Sequence, residues 1–314
     1  MAYLQGVGYV KLVDTILKTE DVDINGIRCG NLVNSSILRD GYFENVTKVF
    51  SAMPPHCLTF ITNPKFADNL YNVSCVITTK EIAQKIPKEL GLVISDNPKL
   101  LFYAVHELLL EEEYHSYSAS VTRTVIGERN VRYAVTGVDI GEKCIFEPNV
   151  VIQTGSTLGN NVYVGSFVTI GGEGFEVIST TAGNYMVMHR GKVLIGDYVN
   201  IQNNVCIDKG VFPNRPTILE DYVSLDNFVH IAHGVQVGAN TKIAASTMIA
   251  GNTTIGKNVY IGPGVRISNG ITVGDNARIS IGSVVTKDVP EGATVTGNFA
   301  IPHEKFIENL RRIR

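Results

Sequence analysis

From Ile140 onward the chain places an apolar residue at every sixth position: Ile140, Phe146, Ile152, Leu158, Val164 and Ile170. After a break the spacing returns at Ile195, Ile201 and Ile207. It then runs without a miss through Leu219, Leu225, Ile231, Val237, Ile243, Ile249, Ile255, Ile261, Ile267, Val273, Ile279 and Val285. A six-residue period matches neither the helical period of about 3.6 nor the alternation of a half-buried strand. It predicts a solenoid in which each side is a short strand plus a corner and the aliphatic residue points inward. Three sides of six would close an 18-residue coil, and coils would stack about 4.8 Å apart, each covering only its neighbours. Glycine follows many inward positions, as in Leu158-Gly159, Ile195-Gly196 and Val237-Gly238. Gly or Asn at such a corner is expected to take the positive φ of the bend.

Two stretches break the repeat. Residues 172–192 (GEGFEVISTTAGNYMVMHRGK) are too long for a coil side, and 208–217 (DKGVFPNRPT) contains two prolines. Loops expelled from a solenoid commonly build its binding surface, and these two flank one histidine-bearing segment. Ahead of the repeat, CLTFIT (57–62), VSCVITT (73–79) and GLVIS (91–95) read as strands. NPKFADNL (63–70) and KEIAQKI (80–86) read as short helices, PKLLFYAVHELLLEEE (98–113) as a longer one, and EEEYHSYSAS (111–120) as a polar link. PHEKFIENLRRIR (302–314) reads as an amphipathic helix with Phe306, Leu310 and Ile313 on one face. The expected fold class is mainly β: a parallel β-helix over residues 116–298, an α/β unit over 1–115 before it, and a short helix over 299–314 after it.

Charge changes this picture little, with 27 basic and 30 acidic residues. The near balance argues against a nucleic-acid surface. The five cysteines are scattered without a C-x-x-C pair, which fits reduced thiols better than a disulfide framework. No signal-peptide pattern and no apolar run of transmembrane length is found, so a cytoplasmic location is expected.

The chemistry concentrates in DNFVHIAHGVQVG (226–238). With Ile231 pointing inward, His233 falls near the end of that side, outside the packed core. Gly251 lies 18 residues on, so stacking would set its backbone N–H beside His233. A histidine to take a proton from an amine, beside a backbone donor for an oxyanion, is the minimum apparatus of acyl transfer. Asp226 is the nearest upstream carboxylate; it either supports His233 or is a corner residue of the Asp226-Asn227 turn. His230 and Asn227 on the same segment are candidate substrate contacts. His56, His106, His115 and His303 have no special context and read as surface or packing residues.

The stretches LTFITNPKFADNL (58–70), IGGEGFEV (170–177), GKVLIGDYVNIQNNVCIDKG (191–210) and LDNFVHIAHGVQVG (225–238) resemble the UDP-3-O-acylglucosamine N-acyltransferases of lipid A synthesis. That resemblance implies a left-handed β-helix, a homotrimer with sites between subunits, and His233 as general base with Gly251 at the oxyanion. It implies that Phe60, Asn63 and Phe66 hold the uracil of a UDP-amino sugar. It also implies an acyl thioester co-substrate, on acyl carrier protein or coenzyme A, with no covalently bound cofactor and no metal. Departures are Gly234 for the family's Asn, Lys209 for its Arg, and Gly270 for a histidine in VRISNG (265–270); the segment after the repeat is also shorter. GSVVTKDVPEGATVTGN (282–298) resembles the last coils of coenzyme A-dependent sugar acetyltransferases, so a short-chain N-acetyltransferase of surface polysaccharide synthesis is the alternative. Outside this class stand a non-catalytic nucleotide-sugar scaffold and a zinc protein using His230, His233 and His189.

Overall fold

The computed structural model describes residues 9–48, 54–118, 124–126, 132–134, 137–297, 300 and 302–313. Within these the chain forms a left-handed parallel β-helix with an α/β unit docked against its expelled loops. The three faces of the solenoid are sheets of nine, seven and eight strands among the described residues. On the face that carries His233, Ile152, Ile170, Ile207, Ile231, Ile249, Ile267 and Val285 stand one above another in parallel register. The repeat positions from Ile152 to Val285 are buried and form one core down the axis. Ile140 departs from the expectation and is 38% exposed, because it lies in the first coil, where stacking covers one side only.

The glycines after the inward residues do not serve the purpose expected of them. Positive φ falls two residues later, at Asn161, Tyr198, Asn240, Asn258 and Asn276. The glycines are required instead by the closeness of the next coil: a Cβ on Gly238 would lie 2.6–2.8 Å from the backbone of Gly256 and Lys257. The sequence signal was sound, but its cause is steric contact between coils rather than backbone dihedral freedom.

In the α/β unit, the strands Ser35–Arg39, Gly91–Ser95, Val73–Thr78, Cys57–Ile61 and Asn45–Val46 form one sheet in that order. The stretches 63–70 and 80–86 hold only single 3-10 turns, Pro64–Phe66 and Ala83–Lys85, too short to nucleate an α-helix. A long helix runs from Pro98 to Ser118, so residues 111–118 of the expected link are helical, and 119–120 lie outside the described residues. The tail forms the helix His303–Ile313; the side chains of Phe306, Leu310 and Ile313 lie outside the described residues.

Residues 172–192 leave the coil and form a hairpin, Val177–Thr180 against Gly183–Met186. Ile178 and Val187 from this loop, with Val211 and Phe212 from the second, join Leu100, Phe102 and Tyr103 in one buried cluster. The loops are therefore the seam between the two parts of the chain. Gly238→Ala is expected to destabilise the fold by about 1–3 kcal/mol through overpacking. Asn258→Gly, at a positive-φ corner, should cost only a few tenths; urea unfolding of the two variants checks the difference.

Candidate functional site

His233 ends the side that begins with the strand His230–Ile231. Ile249 stacks on Ile231, and the chain then turns so that Gly251 lies directly against the imidazole. A Cβ at position 251 would strike Cε1, Nε2 and Nδ1 of His233, so only glycine leaves the ring its place. Among the described residues the Gly251 N–H donates to no backbone carbonyl, whereas the Asn252 N–H donates to His233 O at 2.9 Å. Gly234 adopts φ +66°, and a Cβ there would lie 2.6 Å from Asn252 Oδ1.

His233 is on the outside of the coil, as its register requires, but it is only 8% exposed. The first expelled loop covers it: a Cβ on Gly174 would lie 3.1 Å from His233 Cβ and Cδ2. The His189 ring stands nearly perpendicular to that of His233, with centroids 5.5 Å apart. Burial pushes the His233 imidazole down to about 4, with His189 and Lys48 adding to the shift and Glu176 and Asp208 opposing it. The neutral form therefore prevails at pH 7, as a proton acceptor requires.

Around this pair the loops bring charges that the repeat gave no reason to expect. Burial works against ionisation of Glu173, but hydrogen bonds from His189 and Lys209 hold its carboxyl down at about 2. Lys209 Nζ is 2.6 Å from Glu173 Oε1, and the His189 N–H donates to Oε2 at 2.9 Å. Glu176, buried at the seam, accepts from Tyr103 Oη at 2.6 Å and from Lys48 Nζ at 2.7 Å, with Lys99 Nζ at 3.7 Å. Those cations and the tyrosine keep its carboxyl below the usual range despite desolvation. The sequence held a usable signal for this cluster, two carboxylates three residues apart in the glycine-flanked run GEGFE. Their partners Tyr103 and Lys48 are too remote in sequence to have been paired with them.

The remaining candidates divide. Asp226 does not serve His233: its Oδ1 accepts from Asn227 N and Nδ2 at 2.7 and 2.9 Å, and its Oδ2 from Ala245 N at 3.2 Å. The corner's own donors take up the carboxylate, and Asn227 Oδ1 in turn accepts from Asn203. His230 is partly exposed, and its Nε2 lies 3.0 Å from Asp208 Oδ2. Phe60 packs its ring on Phe102 and Tyr103, at 4.9 and 6.4 Å between centroids. Asn63 Oδ1 accepts from Lys65 N, while the Phe66 ring is 51% exposed. Tyr103 thus touches both the Phe60 cluster and the Glu176 network. Among the described residues no three His, Cys, Asp or Glu side chains converge as metal ligands, and no helix is long and apolar enough to cross a membrane.

The bacterial transferase hexapeptide family (six repeats) matches residues 137–172, 216–251 and 252–287. The chain is built on hexapeptide repeats. It is similar to a UDP-3-O-acylglucosamine N-acyltransferase of Legionella pneumophila, 42% identical over 71 residues, 23% of this chain and 20% of that one. A second relative of that name, from Helicobacter pylori, is 30% identical over 204 residues, 55% of this chain and 58% of its own length. The chain thus spans between a fifth and somewhat over half of these curated relatives. Among solved structures, a UDP-N-acetylglucosamine acyltransferase of Bacteroides fragilis covers 60% of this chain and 78% of its own, with TM-score 0.46 and 22% identity. At that overlap and identity the likeness says nothing of activity.

The buried neutral histidines also set how stability responds to acid. An unfolded histidine protonates near pH 6.5, whereas His233 resists until about 4 and His106, packed between Tyr103 and Phe212, until about 3. The histidine contribution to stability is therefore expected to fall as pH drops through about 6.5 and to level off below those lower values, His233 contributing on the order of 3 kcal/mol. Glu173 carries the loss on down to about 2. His233→Gln should lessen the slope by about one proton over that window, as read by urea unfolding at a series of pH values.

Proposed function

We propose that this chain moves an acyl group from a thioester to the amine of a UDP-linked amino sugar, with His233 as general base. The observation that carries the reading is a neutral, buried imidazole laid against a glycine whose N–H has no backbone acceptor among the described residues. The amine attacks the thioester carbonyl while His233 takes its proton. The Gly251 N–H receives the developing oxyanion, and the donor's thiol leaves. Stretches shared with proteins named UDP-3-O-acylglucosamine N-acyltransferase support the same chemistry.

The nucleotide is assigned to residues 1–115, with stacking on the exposed Phe66 ring and the open edge of Phe60, and the Asn63 amide donating to a uracil carbonyl. His230, with its exposed edge, is a contact for the sugar. Asp226 and Asn227 shape the corner and take no part in proton transfer. The solenoid is assigned within the span 116–298, after the long helix that ends at Ser118, and the terminal helix His303–Ile313 within the span 299–314. A homotrimer is the expected assembly, and the donor is an acyl group on acyl carrier protein or on coenzyme A.

A matrix of acyl-carrier and acyl-coenzyme A donors against UDP- and dTDP-amino sugars, read by mass spectrometry, tests the reading. An amide product with a UDP-sugar is expected, and a clear preference for dTDP-sugars would overturn the uracil assignment. His233→Ala should lower kcat/KM by about 10²-fold or more. Activity unchanged by that substitution would sink the general-base role.

A further inference from the structure

The loop that covers His233 carries more chemistry than covering requires. His189 is 1% exposed, and its Nδ1 lies 3.0 Å from the Val187 carbonyl and 3.2 Å from Glu173 Oε2. Both neighbours accept hydrogen bonds, so Nδ1 carries the hydrogen and Nε2 is the atom left to gain or lose a proton. That Nε2 is buried with no partner among the described residues, and so is Nδ1 of His233. A buried ring nitrogen without a partner is costly, and two of them on neighbouring rings with centroids 5.5 Å apart need a common reason. A Cβ on Gly174 would lie 2.8 Å from His189 Nε2 and 3.1 Å from His233 Cδ2, so the residue between the two rings is one that adds no side chain. Behind His189 stands Glu173, ionised and fixed by Lys209.

We propose that Glu173 and His189 form a proton relay behind His233, a positioning pair that receives the proton the base takes from the amine. The proposal rests on the acyl-transfer reading above. Before reaction, His233 holds its hydrogen on Nδ1 and its lone pair on Nε2. As the amine nitrogen bonds to the thioester carbon, its proton moves to His233 Nε2. The two nitrogens share no hydrogen bond, so the Nδ1 hydrogen passes to His189 Nε2 through one water. The positive charge then rests on His189, beside the Glu173 carboxylate, rather than on a buried His233 that disfavours it. The C–S bond breaks with its electron pair on sulfur, which takes a proton from water. His189 returns its proton to solvent by the reverse path, so thioester and amine become amide and thiol with no net change in the enzyme.

His189→Asn isolates the relay, because the asparagine amide keeps the donor toward Val187 and Glu173 and removes Nε2. With the donor and acceptor that the matrix above selects, kcat is expected to fall about 10²-fold while both KM values stay within about two-fold. His189→Gly supplies a second readout: added imidazole should restore turnover, and pyrazole, of the same shape but far weaker basicity, should not. A kcat for His189→Asn within about two-fold of wild type overturns the relay. Equal recovery of His189→Gly by both azoles does the same, since packing alone would then explain the loss. A wild type that makes no amide with any donor overturns the acyl-transfer reading and the relay with it, whereas an active wild type confines the failure to the relay.

Discussion

Everything in this chain depends on the vertical register of the solenoid. Each coil has no core of its own; an aliphatic residue such as Ile231 is buried only because Ile207 and Ile249 lie above and below it. That stacking fixes the pitch, and the pitch fixes how close the turns come. It is why Gly238 tolerates no Cβ, and equally why Gly251 lies under the His233 ring. One constraint, coil-on-coil contact, generates both a structural glycine and the two atoms assigned to catalysis.

The solenoid alone would leave His233 on an open outer face. The two expelled loops change its surroundings from water to protein, and the α/β unit locks the loops down through Phe102, Tyr103 and Phe212. The Glu176 network adds a polar tie across the same seam, largely desolvated on the carboxylate side. A buried ion pair of this kind contributes little net stability, but it would be costly to leave half-made. It therefore favours the one docking of the α/β unit in which all its members meet. Burial lowers the proton affinity of His233, so its neutral form at pH 7 follows from how the chain is assembled rather than from the segment that carries the histidine.

The fold was legible because period and burial are the same fact seen twice: a six-residue repeat with inward aliphatics can close only as stacked coils. His233 and Gly251 were legible for the same reason, since their 18-residue separation converts directly into contact. What the sequence did not disclose is what depends on the loops. His233 was expected outside the core and is covered; Asp226 looked like its carboxylate neighbour and is instead consumed by Asn227 and Ala245. Glu173, His189 and Lys209 come together only when two loops fold against one face. No periodicity governs such meetings, so proximity in sequence pointed to Asp226, whose carboxylate is held at its own corner. The glycines after many inward residues teach a related lesson, since the pattern was real while its physical cause lay in the neighbouring coil.

The central claim is that assembly of the loops and the α/β unit over the coil keeps His233 neutral. Its most direct test is NMR titration of histidine-labelled protein, with the His233 signals assigned by their loss in His233→Gln. A neutral imidazole through pH 6, protonating only near 4, is the predicted result. An ordinary titration near 6.5 would contradict the account, because it would mean that His233 stands in water and the loops do not make the site.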